Sequence, residues 1–175
     1  MEPIQTSFGA IRPYSITDAP AMARHANNPR IALCLRDGFP HPYTLADAEA
    51  FLGRVLPKDP ITFAAITVAD EVIGGIGILI GSDVHRRTAE LGYWLAEPYW
   101  GRGYMSETVR LFIDDCFRRF DLVRVHADPY DDNVASARVL EKAGFVLEGH
   151  MRGSVLKAGV IKGQLMYALV RLPTA

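Results

Sequence analysis

Two glycines separated by one residue are the feature of this sequence that most directly indicates ligand binding. Gly101 and Gly103 lie between an apolar segment that ends near Leu95 and an amphipathic segment that begins near Met105. Glycine adopts positive φ angles and allows a ligand to approach the main chain closely. A helix that starts after such a turn presents free N–H groups and the positive end of its dipole, which suits a diphosphate. The spacing alone also fits a simple tight turn between a strand and a helix, so both interpretations stay open.

Two common nucleotide-binding patterns are excluded by the residues around these glycines. A dinucleotide fingerprint needs a third glycine, and a phosphate-binding P-loop needs a Gly-Lys-Ser/Thr ending. The sequence from Gly101 onward has neither of these features.

Two carboxylates and a histidine could accept a proton near the predicted turn. Glu90 lies in the segment that leads into it, Asp128 follows a second strand pattern, and His126 alternates in phase with Asp128. We rank Glu90 first, then Asp128, then His126. A carboxylate more often forms a surface ion pair, and Arg86, Arg87 and Arg124 are possible partners. Asp128, which precedes a proline, also fits a turn.

Composition predicts a single cytoplasmic domain over residues 1–175. The 19 basic and 20 acidic residues give a formal charge of −1, which argues against a nucleic-acid surface. No apolar run is long enough for a membrane span, and the N-terminus has no signal-peptide pattern. Cys34 and Cys116 form no CxxC pair, and no His/Cys/Asp cluster has metal-ligand spacing, so no metal is expected.

The elements that must position these residues follow from hydrophobic periodicity and turn residues. Helices are predicted at residues 17–27, 44–55, 105–120 and 133–143. Strands are predicted at residues 8–14, 61–68, 72–80, 88–96, 122–128, 145–156 and 162–172. This order predicts an α/β (α+β) fold, with a mixed and largely antiparallel seven-stranded sheet and helices on both faces. The strand–helix–strand centre predicts that two middle strands are parallel.

Two motifs in order resemble the GNAT superfamily of N-acetyltransferases, and within it the RimJ/RimL-type branch. They are YWGRGYM at residues 99–105 and NVASARVLEKAGF at residues 133–145. The resemblance covers nearly the whole chain and implies a GNAT-like domain. It implies transfer of an acetyl group from acetyl-CoA to a primary amine, by direct attack on the thioester.

The resemblance also implies which residues bind acetyl-CoA. The loop of residues 100–105 matches the segment that wraps the diphosphate of CoA with its N–H groups, although Trp100 replaces a Gln or Arg and Met105 replaces a small residue. Residues 93–95 match the strand that bonds the pantetheine arm, where an N–H group can stabilise the oxyanion. The implied set is Tyr93, Trp94, Leu95, Gly101, Arg102, Gly103, Tyr104, Met105, Ser106 and Asn133.

Several of these residues also have a purely structural interpretation. Tyr93 and Trp94 fit core packing, and Asn133 fits a helix N-cap that bonds the amide of residue 135 or 136. Ser136 fits a back-bond to a carbonyl one turn earlier. The resemblance instead makes Ser136 a substitute proton donor, because Leu140 occupies the position of the usual acidic tyrosine.

The chemistry of the implied reaction favours a general base over a general acid. An alkyl ammonium has a pKa of about 10, whereas a thiol has a pKa of about 8.5 and leaves readily. Many family members place a catalytic carboxylate where Glu90 or Asp128 stands.

The acceptor site is expected near Arg36, Phe39 and Tyr43, in the region that roofs the acceptor pocket of the family. An arginine there could bind a carboxylate, which would favour an amino acid or peptide, but a solvated surface arginine fits equally well. A usual family aspartate is replaced by Gly163. Candidate acceptors are a small amine, an amino acid or a protein N-terminus, and a homodimer is possible. The alternative function is a CoA-binding module without turnover.

Overall fold

A computed structural model describes residues 1–57 and 62–172. Eight strands are present: β1 Ile4–Gln5, β2 Ala10–Arg12, β3 Phe63–Val68, β4 Glu71–Ile80, β5 Thr88–Leu95, β6 Arg124–Ala127, β7 Val146–Lys157 and β8 Val160–Val170. The same described residues form five α-helices: α1 Ala19–Ala26, α2 Pro29–Ala32, α3 Leu45–Val55, α4 Tyr104–Arg119 and α5 Val134–Lys142.

The sheet has eight strands, so the prediction of seven was wrong. The predicted strand at residues 8–14 is β2, and the additional strand β1 is only two residues long. A tight turn folds β1 back on β2, in which the N–H of Thr6 donates to the carbonyl of Gly9 over 2.9 Å. Two residues are too few to produce a recognisable alternation. The predicted start of β3 at Ile61 lies outside the described residues.

The strand order β1-β2-β3-β4-β5-β6-β8-β7 confirms a mixed and largely antiparallel sheet. The pair β5–β6 is parallel, with Thr88 opposite Arg124 and Glu90 opposite His126. The pairs β1–β2, β2–β3, β3–β4, β6–β8 and β7–β8 are antiparallel. The predicted parallel pair in the middle of the sheet is therefore present.

The helix that precedes β3 starts as its sequence predicts. Thr44 and Asp47 form a capping box, in which each side chain bonds the other residue's N–H. Helix α2, by contrast, has only four residues and was not predicted. The side chain of Asn28 caps it by accepting the N–H of Arg30 over 2.8 Å.

The chain forms two units, each with its own interior contacts. The first consists of Met1–Gly77 and Tyr93–Thr108, and the second of Ile78–Gly92 and Val109–Ala175. The strand β5 contributes to both. One core cluster of the first unit comprises Tyr14, Ala19, Met22, Ala26, Tyr43, Ala48, Leu52, Ala65 and Val72. Among the described residues, no helix is long and apolar enough to cross a membrane.

Candidate acetyl-CoA site

The turn between β5 and α4 has the geometry that the two glycines predict. Gly101 has a φ of 74° and Gly103 a φ of 81°, both in the left-handed region that L side chains rarely adopt. A Cβ atom on either residue would meet no heavy atom within 4 Å. Conformation therefore favours glycine at these positions, and the space beside the turn is open.

Helix α4 begins directly after this turn and directs its first N–H groups toward it. The carbonyl of Gly103 accepts the N–H of Glu107 over 3.1 Å, so the helical bonding starts at Gly103. The first N–H groups of a helix have no partner within the helix. Those of Tyr104, Met105 and Ser106 can therefore serve an anion. The Met105 side chain is buried at 7% exposure, which removes it from the ligand side.

The side chain of Trp100 closes the loop that precedes the glycines. Its indole Nε1 donates to the carbonyl of Leu95 over 2.7 Å, which links the end of β5 to the start of the turn. The guanidinium of Arg30 lies 5.1 Å from the indole ring and pairs with Glu97. A hydrogen bond from Asn28, followed by the charge of Arg30, lowers the pKa of Glu97. In the sequence, Trp100 is visible only as a departure from the family pattern, and nothing there predicts its bond to Leu95.

The turn between β1 and β2 also contacts the first turn of α4. The rings of Phe8 and Tyr104 stack with centroids 3.9 Å apart and planes 9° from parallel. The N–H and hydroxyl of Ser7 donate to the Glu107 carboxylate over 2.7 and 2.5 Å. Arg102 lies over the ring of Tyr99, at 5.8 Å from its centroid. No pattern in the sequence indicated the contacts of Ser7 and Phe8, because they join segments about a hundred residues apart.

Two of the three predicted acceptor residues lie against Trp94 in the first unit. The rings of Phe39 and Tyr43 are 4.8 Å apart, and Phe39 is 6.1 Å from Trp94. Tyr43 is only 6% exposed, and burial raises its pKa to about 12. Its hydroxyl therefore stays protonated at neutral pH. Arg36 is exposed, and its carbonyl accepts the N–H of Phe39 over 2.9 Å.

The three candidate proton acceptors are neighbours in the second unit. Glu90 on β5 is opposite His126 on the parallel strand β6, so their side chains leave the same face of the sheet. The Nδ1 atom of His126 lies 3.3 Å from a carboxylate oxygen of Asp128, and both side chains are largely buried. A carboxylate next to an imidazole that is itself oriented by a second carboxylate is an arrangement that can move a proton.

Two of the arginines that the sequence offers as partners for these carboxylates, Arg87 and Arg124, bond other residues. Arg124 Nη1 donates to Glu148 over 2.7 Å, and Arg87 Nη2 donates to Asp121 over 2.6 Å.

Asn133 is the N-cap of α5, and its side-chain oxygen accepts the N–H of Ser136 over 3.1 Å. The structural interpretation of Asn133 is thus confirmed, while its role toward CoA stays a prediction. Ser136 lies in the first turn of α5 and is partly exposed. Leu140, at the position of the absent tyrosine, is fully buried. Within residues 1–57 and 62–172, no group of three or more His, Cys, Asp or Glu side chains could hold a metal ion.

A comparison with protein families identifies the family of the chain. Residues 10–146 match the model of the acetyltransferase (GNAT) domain. The chain belongs to the GNAT acetyltransferase family. This match covers the turn, both parallel strands and helix α5 of the GNAT chain, whereas Gly163 lies beyond it.

Relatives of this GNAT chain include a bacterial acetyltransferase and two proteins of known structure. The probable N-acetyltransferase YjcK of Bacillus subtilis (strain 168) is 36% identical over 118 residues, which are 67% of this chain and 65% of YjcK. Mycobacterium smegmatis RimJ in complex with a CoA disulfide has a TM-score of 0.83 at 22% identity, with 97% of this chain and 86% of RimJ covered. The Salmonella typhimurium acetyl transferase that modifies the N-terminal serine of ribosomal protein L7/L12 has a TM-score of 0.81 at 23% identity, with 97% and 99% covered. At these identities the two structures are evidence of a shared fold.

Proposed function

We propose that this protein is an acetyl-CoA-dependent N-acetyltransferase that moves the acetyl group to a primary amine. The observation that carries the proposal is the turn between β5 and α4, where Gly101 and Gly103 have positive φ beside open space. Membership of the GNAT family supports the same conclusion.

The chain offers two kinds of contact to acetyl-CoA. Main-chain N–H groups of residues 101–106 bind the diphosphate, so the side chains of Arg102 and Met105 contribute little to specificity. The end of β5, Tyr93 to Leu95, bonds the pantetheine arm and supplies an N–H group for the thioester oxygen. Trp100 occupies one acceptor position of the Leu95 carbonyl, and a carbonyl oxygen can accept a second bond. Asn133 adds a further contact beside its capping role.

Glu90 is the proposed general base. It accepts a proton from the ammonium group of the acceptor, which leaves a neutral nitrogen able to attack the thioester carbon. His126 lies beside Glu90 and is oriented by Asp128, so it can pass that proton on. As the C–N bond forms and the C–S bond breaks, Ser136 donates its hydroxyl proton to the departing sulfur and receives in its place the second proton that the nitrogen loses.

A peptide or protein N-terminus is the acceptor class that we favour. The Salmonella relative modifies the N-terminal serine of a ribosomal protein, and this chain shares its fold. Arg36, Phe39 and Tyr43 are the proposed acceptor-binding residues, with the Phe39 ring as the apolar contact. Small amines and free amino acids remain part of the test panel.

Release of free thiol from acetyl-CoA in the presence of an amine panel tests the proposal. The panel contains short peptides with free N-termini, amino acids and polyamines. Glu90→Gln should lower kcat/KM by about 10²- to 10⁴-fold, because general-base catalysis contributes that much. Its affinity for acetyl-CoA should stay close to that of the wild type. Glu49→Gln, on an exposed position of α3, is the matched control and should retain full turnover.

Two outcomes would contradict parts of this proposal. Full turnover in Glu90→Gln with every acceptor would exclude Glu90 as the base. Binding of CoA without thiol release for any amine would favour the alternative of a non-catalytic CoA-binding module.

We further propose that residues 1–175 act as one domain. A cytoplasmic location and a homodimer stay predictions.

A further inference from the structure

The segment from Asp128 to Asn133, between β6 and α5, begins and ends with a residue of the proposed function. Asp128 orients His126 at one end, and Asn133 caps α5 and bonds Ser136 at the other. Any displacement of this segment changes the positions of both ends. What holds it in place therefore bears on catalysis.

Strand β8 holds this segment through a row of hydrogen bonds. The side chain of Gln164 donates to the carbonyl of Asp128 over 3.0 Å, and the N–H of Leu165 donates to the carbonyl of Pro129 over 2.9 Å. Tyr130 and Gln164 form an isolated β-bridge. The N–H of Asp131 donates to the carbonyl of Gly163 over 3.0 Å.

Asp131 adds a second bond to Gly163, through its side chain. The N–H of Gly163 donates to Oδ2 of Asp131 over 3.1 Å, so Asp131 brackets Gly163 with both its main chain and its carboxylate. The Nε2 atom of His150 on β7 lies 2.9 Å from the same oxygen. Two strands thus converge on one carboxylate oxygen.

The absence of a side chain at position 163 makes room for this carboxylate. A Cβ atom there would lie 2.4 Å from Oδ2 of Asp131 and 2.5 Å from Nε2 of His150, so the ends of both side chains would have to move. The φ of Gly163 is not in the left-handed region, so its conformation does not demand glycine. The missing side chain makes room for Asp131 and His150.

We infer that Asp131 is a positioning residue, which with Gly163 and His150 fixes the 128–133 segment and thereby places Asp128 and Asn133 for acetyl transfer. The inference rests on the proposed function for its catalytic part. Asp131 does not touch the substrates in this account, and it acts through the main chain on either side of it.

Three variants and one control separate this role from a general contribution to folding. Asp131→Ala removes the carboxylate. Gly163→Ala displaces it, because the new methyl group occupies its place. Asp131→Asn keeps an oxygen that accepts the same two bonds, so it should keep the 128–133 segment in place. Asp132→Ala is the matched control, since Asp132 is the adjacent residue and its exposed carboxylate accepts a bond from Lys162 rather than from Gly163 or His150.

The first measurement is amide hydrogen exchange of residues 131–136 in the free protein, which needs no activity. Exchange should be faster in Asp131→Ala and Gly163→Ala and unchanged in Asp132→Ala. In Asp131→Asn, which keeps the two bonds but loses the charge, it should be close to the wild type and slower than in Asp131→Ala. The second is steady-state kinetics, with kcat and the KM for acetyl-CoA determined separately. Small displacements of reacting groups cost up to about 100-fold in rate, so we expect kcat of the first two variants to fall by about 10- to 100-fold.

The outcomes are distinguishable from failure of the proposed function. If the wild type releases no thiol, the enzymatic proposal fails. The exchange measurement still tests the positioning role in that case, and unchanged exchange in Asp131→Ala would overturn it. If the wild type is active, equal kcat for Asp131→Ala and Asp132→Ala would overturn it. A Gly163→Ala protein as active as wild type would do the same.

Discussion

At the scale of single residues, local bonding explains which of the candidate side chains are available for chemistry. Tyr43 is buried, and its raised pKa of about 12 keeps it protonated. Leu140 has no proton to give. Asn133 caps α5, and Glu90, His126 and Asp128 form the proposed proton-transfer group at the parallel strands.

A prediction at this scale concerns the titration of Asp131. The hydrogen bond from His150, and then the N–H of Gly163, lower the pKa of Asp131. Its contribution to stability is therefore fully present above the pKa of an unfolded aspartate, about 3.9, and is lost as the pH falls through the lower folded value. Urea unfolding should show the wild type more stable than Asp131→Asn at about pH 5, with the difference shrinking toward about pH 3. A difference that grows on acidification would contradict this assignment.

The sequence predicted candidate residues better than it predicted their partners. The cap of α5, the two glycines and the shared phase of His126 and Asp128 can be inferred from residue type and strand alternation, whereas the pairing of Glu90 with His126 depends on the strand register. The bonds of Trp100 to Leu95, of Ser7 to Glu107 and of Asp131 to Gly163 cannot, because they depend on main-chain positions that only folding defines.

At the scale of elements, the strand–turn–helix unit from β5 to α4 organises the proposed cofactor site. Two positive φ angles turn the chain, and Trp100 fixes the entrance of the turn. Phe8 and Ser7 hold the first turn of the helix. The turn is thus braced from both sides before any ligand binds.

Replacement of Gly103 by alanine tests the conformational requirement. A left-handed conformation costs an L residue roughly 1–2 kcal/mol, so Gly103→Ala should lower the free energy of unfolding by about that amount and weaken acetyl-CoA binding. Gly38→Ala is the control, because Gly38 has open space around its Cβ position and no positive φ. Isothermal titration and urea unfolding measure the two effects. Wild-type affinity in Gly103→Ala would show that the turn does not need its observed conformation.

Replacement of Trp100 by phenylalanine tests the brace at the start of the turn. The variant keeps an aromatic ring for Arg30 but leaves the carbonyl of Leu95 without its donor. Loss of one hydrogen bond is worth about 0.5–1.5 kcal/mol, so the Kd for acetyl-CoA should rise by up to about 10-fold. An unchanged Kd would mean that the bond contributes only to the fold.

Element boundaries were predictable wherever a capping residue or glycine punctuates the chain, as at Thr44 and Gly144. Strand β1 and helix α2 were missed because two and four residues carry no periodicity. Their contacts with the rest of the chain, rather than local preference, decide that they form.

At the scale of the whole molecule, the fold agrees with the family assignment. The fold does not identify the acceptor, because function depends on the individual site and not on the fold. The two solved structures share the fold at 22% and 23% identity. Sequence patterning predicted the mixed sheet and its parallel pair because β-strand alternation and helical periodicity are local signals. The acceptor has no comparable signature in one sequence.

Ligand linkage gives a prediction for the entire protein. A ligand at a concentration of 100 times its Kd stabilises the folded state by about 2.7 kcal/mol. For a chain of this size the melting temperature should rise by about 5–11 °C with saturating acetyl-CoA. An unchanged melting temperature with acetyl-CoA would indicate that the protein does not bind this ligand.

The most direct test of the central claim is a titration of isotopically labelled protein with CoA, followed by the amide resonances of residues 93–106. We predict saturable shifts that are largest at Gly101, Gly103 and the first turn of α4, and that are lost in Gly103→Ala. No saturation at millimolar CoA, or shifts confined to residues far from this turn, would contradict the account.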